Sequence, residues 1–125
     1  MNIVEAAWNG ELDALRKAIA NGADVEERNE MGWNALIGAA MKGHIDVLRF
    51  LLEQGADINT NNKGTTALMC AAMNGHMQTV KFLIENGADV NAVDRKGNTV
   101  VMYGTARERQ EIVHLLEEIA APEPA

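Results

Sequence analysis

Residues 32–59 read GWNALIGAAMKGHIDVLRFLLEQGADIN, and residues 64–91 read GTTALMCAAMNGHMQTVKFLIENGADVN. The two stretches agree at Gly, Ala-Leu, Ala-Ala-Met, Gly-His, Phe-Leu and Gly-Ala-Asp, all in one register. Self-similarity at a fixed spacing takes precedence over the reading of any single element, because it sets the whole architecture. The length of the unit, its number of copies and the structure of one copy then define the fold.

The Gly-Ala-Asp triplets begin at Gly22, Gly55 and Gly87, steps of 33 and 32 residues. The small pairs Ala6-Ala7, Ala39-Ala40 and Ala71-Ala72 keep that spacing and end in a degraded Gly104-Thr105. Gly10 shares the register of Gly43 and Gly75, so a truncated copy precedes the first triplet. The unit is about 33 residues and covers nearly the whole chain. A single domain over residues 1–125 divides into an N-terminal cap (1–20), repeats at 21–53 and 54–85, a C-terminal capping repeat (86–119) and a small, proline-containing tail (120–125) expected to fray.

Each unit reads as helix, turn, helix, hairpin. Asn34, Thr66 and Thr99 are residue types whose side chains satisfy the free N–H groups of a helix start. Gly43 and Gly75 end the first helix, since glycine accepts the left-handed conformation that a helix end needs. Val47, Leu48, Leu51 and Leu52 form an apolar stripe at helical spacing in the second helix. Gly55 closes it, and the segment ADINTNNKG after it is rich in turn residues. Helices this short are marginal alone, so each unit must cover its neighbour. The ends agree with that: Lys17 stands at the position of Phe50 and Phe82, and Glu117 at that of Leu52 and Ile84, as outer faces in water require. The middle hairpin has one residue fewer between Gly55 and Gly64 than its counterparts, which predicts a locally tightened or distorted turn.

These residues resemble the ankyrin repeat family over about positions 3–119, on the stretches quoted from Gly32 and Gly64. The departures are Ala35, Ala67 and Val100 where the family has proline, Ile37, Met69 and Met102 where it has histidine, and Glu108-Arg109 where it has Gly-His. The resemblance implies an all-α solenoid of stacked helix-turn-helix units with hairpin fingers. It also implies that His44 and His76 anchor turns by hydrogen bonds to backbone. Hairpin asparagines such as Asn59 and Asn91 are hydroxylated in animal members; here a turn role is expected.

Composition narrows the function classes. Hydrophobic residues make up 47% and charged residues 23%, as in a globular domain. The net charge of −7 argues against a general nucleic-acid binder, which needs a basic field. No apolar run reaches the length of a membrane span. Cys70 is the only cysteine, so no internal disulfide forms and a reducing, cytoplasmic setting is expected. Cys70 replaces Gly38 in the repeat and reads as a packing residue rather than a nucleophile, since no orienting group accompanies it. Asp57 and Asp89 recur at the repeat period and read as turn residues. No catalytic constellation, metal site or cofactor is expected.

In the family, hairpin tips and first helices face a groove that binds partner proteins. Carried over by register, the candidates are Trp8, Glu30, Met31, Trp33, Met41, Lys42, Lys63, Thr65, Met73, Asn74, Arg95, Lys96, Asn98, Tyr103 and Arg107. Both tryptophans and the only tyrosine fall in this set, and Trp, Tyr and Arg are frequent hot spots. Glu26, Glu27 and Glu30 would make the early end acidic, and Lys63, Arg95, Lys96 and Arg107 the late end basic. The expected function is non-catalytic binding of another protein by a monomeric chain. The alternatives are an inhibitor or immunity-type protein against a bacterial toxin or enzyme, and a scaffold for a nucleotide or other small ligand.

Overall fold

Asn34, Thr66 and Thr99 each turn a side-chain oxygen onto the backbone N–H three residues on, at 3.0 Å (Ile37), 3.3 Å (Met69) and 3.3 Å (Met102). Each thereby satisfies one of the orphan donors of a helix start. In the computed structural model, which describes residues 2–119, the resulting elements are α1 (Ile3–Trp8), α2 (Leu12–Ala20), α3 (Ala35–Lys42), α4 (Ile45–Glu53), β1 (Asn61–Asn62), β2 (Thr65–Thr66), α5 (Ala67–Met73), α6 (Met77–Glu85), α7 (Val100–Ala106) and α8 (Gln110–Ile119). The tail expected to fray lies outside the described residues.

The helices pair as α1/α2, α3/α4, α5/α6 and α7/α8, and the first members stack on one another in chain order. The alanine pairs explain why that inner layer is the tight one. Ala7, Ala39, Ala40, Ala71 and Ala72 are completely buried between inner helices, where a larger side chain would force them apart. The outer helices bring Leu15, Leu48, Leu51, Val80, Leu83, Ile112 and Leu116 to the same core. Truncating any one of these leucines or isoleucines to alanine costs about 2–5 kcal/mol. Ile37 and Met69, at the family's histidine position, are fully buried, whereas their counterpart Met102 in the last repeat is exposed.

Neighbouring units are joined by side chains that recur at the repeat period. His44 Nε2–H donates to the carbonyl of Trp8 and His76 Nε2–H to that of Met41, both at 3.0 Å. In the last repeat, Arg109 takes this place and donates Nε–H to the carbonyl of Met73 at 3.2 Å. On the outer layer, the guanidinium of Arg16 lies 4.9 Å from the ring centre of Phe50, and that of Arg49 lies 5.4 Å from Phe82. Such cation–π contacts contribute roughly 0.5–1 kcal/mol where exposed. Along the hairpin bases, Glu26 Oε2 accepts the N–H of Asp57 and Asn59 Oδ1 accepts the N–H of Asp89, each at 2.8 Å. Asp57 and Asp89 in turn accept N–H groups two residues on, as turn residues do.

The short middle hairpin is tightened but not distorted. In the first and third fingers, Asn29 pairs with Trp33 and Asp94 with Asn98 around three-residue loops, leaving a single bridge each, Arg28↔Asn34 and Val93↔Thr99. The middle finger instead forms the antiparallel pair β1–β2, with Asn61 opposite Thr66 and Asn62 opposite Thr65. Its loop is just Lys63 and Gly64, at φ 54° and 88°. Two successive positive φ values are what a type I′ turn demands, and that turn matches the natural twist of paired strands. Losing one residue therefore converts a looser loop into the more regular hairpin.

Candidate functional site

Fingers and inner helices together enclose a cleft of about 640 Å³. Ten candidates from the sequence line it: Met31, Trp33, Lys63, Thr65, Met73, Arg95, Lys96, Asn98, Tyr103 and Arg107. Trp33, Met73 and Tyr103 are half-buried, so one part of each side chain packs on the stack while the other faces the cleft. Met31 at the first finger tip is 73% exposed. Lys63, Arg95, Lys96 and Arg107 are exposed on the rim.

A shallower depression of about 470 Å³ continues toward the N-terminus and holds Trp8, Met41, Lys42 and Asn74 together with Met73 and His76. Trp8, 40% exposed, has its ring against Gly38 and the ammonium of Lys42 5.3 Å above it. Asn74 donates to the carbonyl of Cys70 at 3.0 Å. Glu30 is exposed at the first finger tip and lines neither hollow.

The cleft also contains residues that register alone did not single out. Asp94 stands at the finger position of Asn29 and Asn61, and its Oδ1 accepts the N–H groups of Lys96 and Asn98 at 2.9 Å. Its other oxygen takes the hydroxyl of Tyr103 and, at 3.2 Å, the side-chain amide of Asn98. The Tyr103 bond is the main reason the Asp94 carboxyl is held down at about 2. Burial, with Asp94 close by, raises the Tyr103 phenol above its ordinary value. Thr65 Oγ1 lies 3.2 Å from the same hydroxyl, so the middle hairpin, the third finger and α7 meet at Tyr103. The signal was present in the sequence, as an acidic turn residue nine positions before the only tyrosine. Met102, 52% exposed on α7 of the last repeat, joins the lining.

The three glutamates expected at the early end of this face differ in setting. Glu26 is half-buried and its carboxylate is engaged by the N–H of Asp57, so it serves as a clasp between repeats. Glu27 and Glu30 remain exposed. Away from the cleft, the Cys70 thiol is buried and pushed up to about 12 by desolvation. Such a thiol is not a nucleophile at neutral pH. His114 is exposed on α8. Among the described residues, no three His, Cys, Asp or Glu side chains converge as a metal site, and no helix is long and apolar enough to cross a membrane.

Stacked helix pairs with fingers folded over one face define a helical repeat solenoid. This chain belongs to the ankyrin repeat family: the family described as ankyrin repeats (3 copies) matches residues 3–94 and, overlapping them, 60–122. No curated protein matches the chain. Ankyrin repeats are generally protein–protein interaction modules.

Proposed function

We propose that this chain is a non-catalytic module that binds another protein in the cleft between its fingers and inner helices. One observation carries the reading: Trp33, Met73, Met102 and Tyr103 form an apolar floor that is open to solvent, under a rim of exposed cations. Aromatic and methionine side chains at the centre of a patch, ringed by charge, are the composition of interface cores. Open apolar groups in a row are costly in water unless a partner covers them. The groups that could have done chemistry are otherwise engaged. His44 and His76 donate to backbone carbonyls, Asp57 and Asp89 hold turns, and Cys70 is buried as a thiol.

Site-specific cross-linking tests the surface. A photoreactive residue at Met73, in the cleft, is expected to capture a partner in cells of the source organism. The same residue at Gln78, exposed on α6, is expected to capture none. Capture at Gln78 alone would remove the cleft from consideration.

A further inference from the structure

Four of the chain's 11 Lys and Arg residues, Lys63, Arg95, Lys96 and Arg107, line the cleft, whereas only Asp94 of its 18 Asp and Glu residues does. In a chain of net charge −7 this is a local reversal of sign. Asp94, its carboxylate held by the Tyr103 hydroxyl, the Asn98 amide and two backbone N–H groups, lowers the formal sum of the lining from +4 to +3 and leaves it positive. The rim therefore presents clustered positive charge on both sides: Lys63, Arg95 and Lys96 at finger tips, and Arg107 at the end of α7.

The side-chain hydrogen-bond donors of the floor are largely engaged. Tyr103 and Asn98 donate to Asp94, and Asn62 Nδ2–H donates to the carbonyl of Met31 at 3.0 Å. What remains for a ligand is apolar area below and cationic charge above. That combination suits apolar contact and charge attraction, not the reading of a base edge by hydrogen bonds.

We propose that the cleft takes an acidic protein segment in which a bulky apolar side chain is flanked by several carboxylates. This rests on the cleft being the partner-binding surface. The apolar side chain enters the floor between Trp33, Met73 and Tyr103. The flanking carboxylates lie against Arg95 and Lys96 on one side and Arg107 on the other. Exposed Glu30, on the first finger, repels acidic residues and so sets the direction of the segment.

The test uses fluorescein-labelled peptides of roughly a dozen residues, read by anisotropy on the intact chain. The first is rich in Asp and Glu around a central Leu-Trp pair, the second carries Lys in place of the acids, and the third carries Ser in place of Leu-Trp. The first is expected to bind, and the other two to bind at least about tenfold more weakly. Arg95→Glu combined with Lys96→Glu is expected to weaken the first peptide by about tenfold or more, while Glu30→Lys leaves it equal or tighter. Both substitutions fall on exposed finger positions, and circular dichroism checks that the variants stay folded. Equal or tighter binding of the basic peptide, no saturable binding of the acidic one up to about 1 mM, or its displacement by ATP would each overturn the proposal. Cross-linking separates this from the reading beneath it. A partner captured at Met73 through a basic segment removes the acidic-segment inference and keeps the cleft, whereas capture only at Gln78 removes both.

Discussion

The imidazole of His76 lies 3.0 Å from the point where a β-carbon on Gly43 would sit. Gly43 is thus required twice over. Its φ of 76° favours glycine, and the absent side chain leaves room for the ring that hydrogen-bonds Met41. Gly43→Ala is expected to destabilise the fold by about 2–3 kcal/mol, of which about 1–2 kcal/mol is the left-handed backbone. Gly22, at φ 97° with nothing within 4 Å of its absent β-carbon, isolates the backbone part, so Gly22→Ala should lose less. The steric part is measured by adding His76→Ala to each background under urea denaturation. A smaller loss beside Gly43→Ala than beside the wild-type glycine is the expected coupling.

Glu108 stands where Gly10, Gly43 and Gly75 stand and keeps a positive φ of 57°. The ring of His44 crowds Gly10, the ring of His76 crowds Gly43 and the guanidinium of Arg109 crowds Gly75, each from the next repeat along the chain. Among the described residues no later repeat brings a side chain against Glu108, so the backbone is the reason for glycine that applies there. Glu108→Gly is expected to raise stability by about 0.5–1 kcal/mol, seen as a higher urea midpoint with unchanged slope.

Local patterns that recur were legible in the sequence. The period and the caps at Asn34, Thr66 and Thr99 each depend on a few neighbouring residues and are repeated in the chain, whereas the anchoring histidines, which reach carbonyls 36 and 35 residues away, were implied by the family resemblance alone. The clasp from Glu26 to Asp57 was not legible, because it joins residues 31 apart and does not recur with the same side chain. The register said which residues share the cleft face, but not which of them are already engaged. Asp94 shows the difference: its charge is visible in the sequence, while its capture by Tyr103 depends on how a finger leans on a helix. The middle hairpin lies between these cases. Counting residues showed that the loop was short, but its regularity rests on Lys63 accepting a left-handed backbone.

That conformation leaves room for improvement. Lysine at φ 54° occupies the first central position of a type I′ turn, where asparagine is strongly preferred before glycine. Lys63→Asn is expected to stabilise the middle hairpin by about 0.5 kcal/mol or more, from the ordinary cost of a left-handed non-glycine residue. Amide hydrogen exchange at Thr65 and Thr66, which pair with Asn62 and Asn61, should slow in the variant. The same substitution removes one rim cation, so binding of the acidic peptide should weaken even as the hairpin firms, which separates the role of the charge from that of the turn.

The Asp94–Tyr103 bond predicts how the late end of the cleft responds to acid. Asp94 has its carboxyl lowered from 3.8 to about 2, chiefly by the Tyr103 hydroxyl. A carboxyl lowered in the folded state stabilises it fully above the unfolded midpoint and loses that contribution as pH falls toward the folded one. The contacts among the third finger, α7 and the middle hairpin are therefore expected to persist at pH 4 and to weaken between roughly pH 4 and pH 2. Tyr103→Phe removes the donor while keeping the ring, so the Asp94 midpoint should rise toward its ordinary value. Carboxyl carbon shifts followed by NMR titration measure this directly. An Asp94 midpoint unchanged by Tyr103→Phe would show that the backbone N–H groups of Lys96 and Asn98, not the phenol, hold the charge in place.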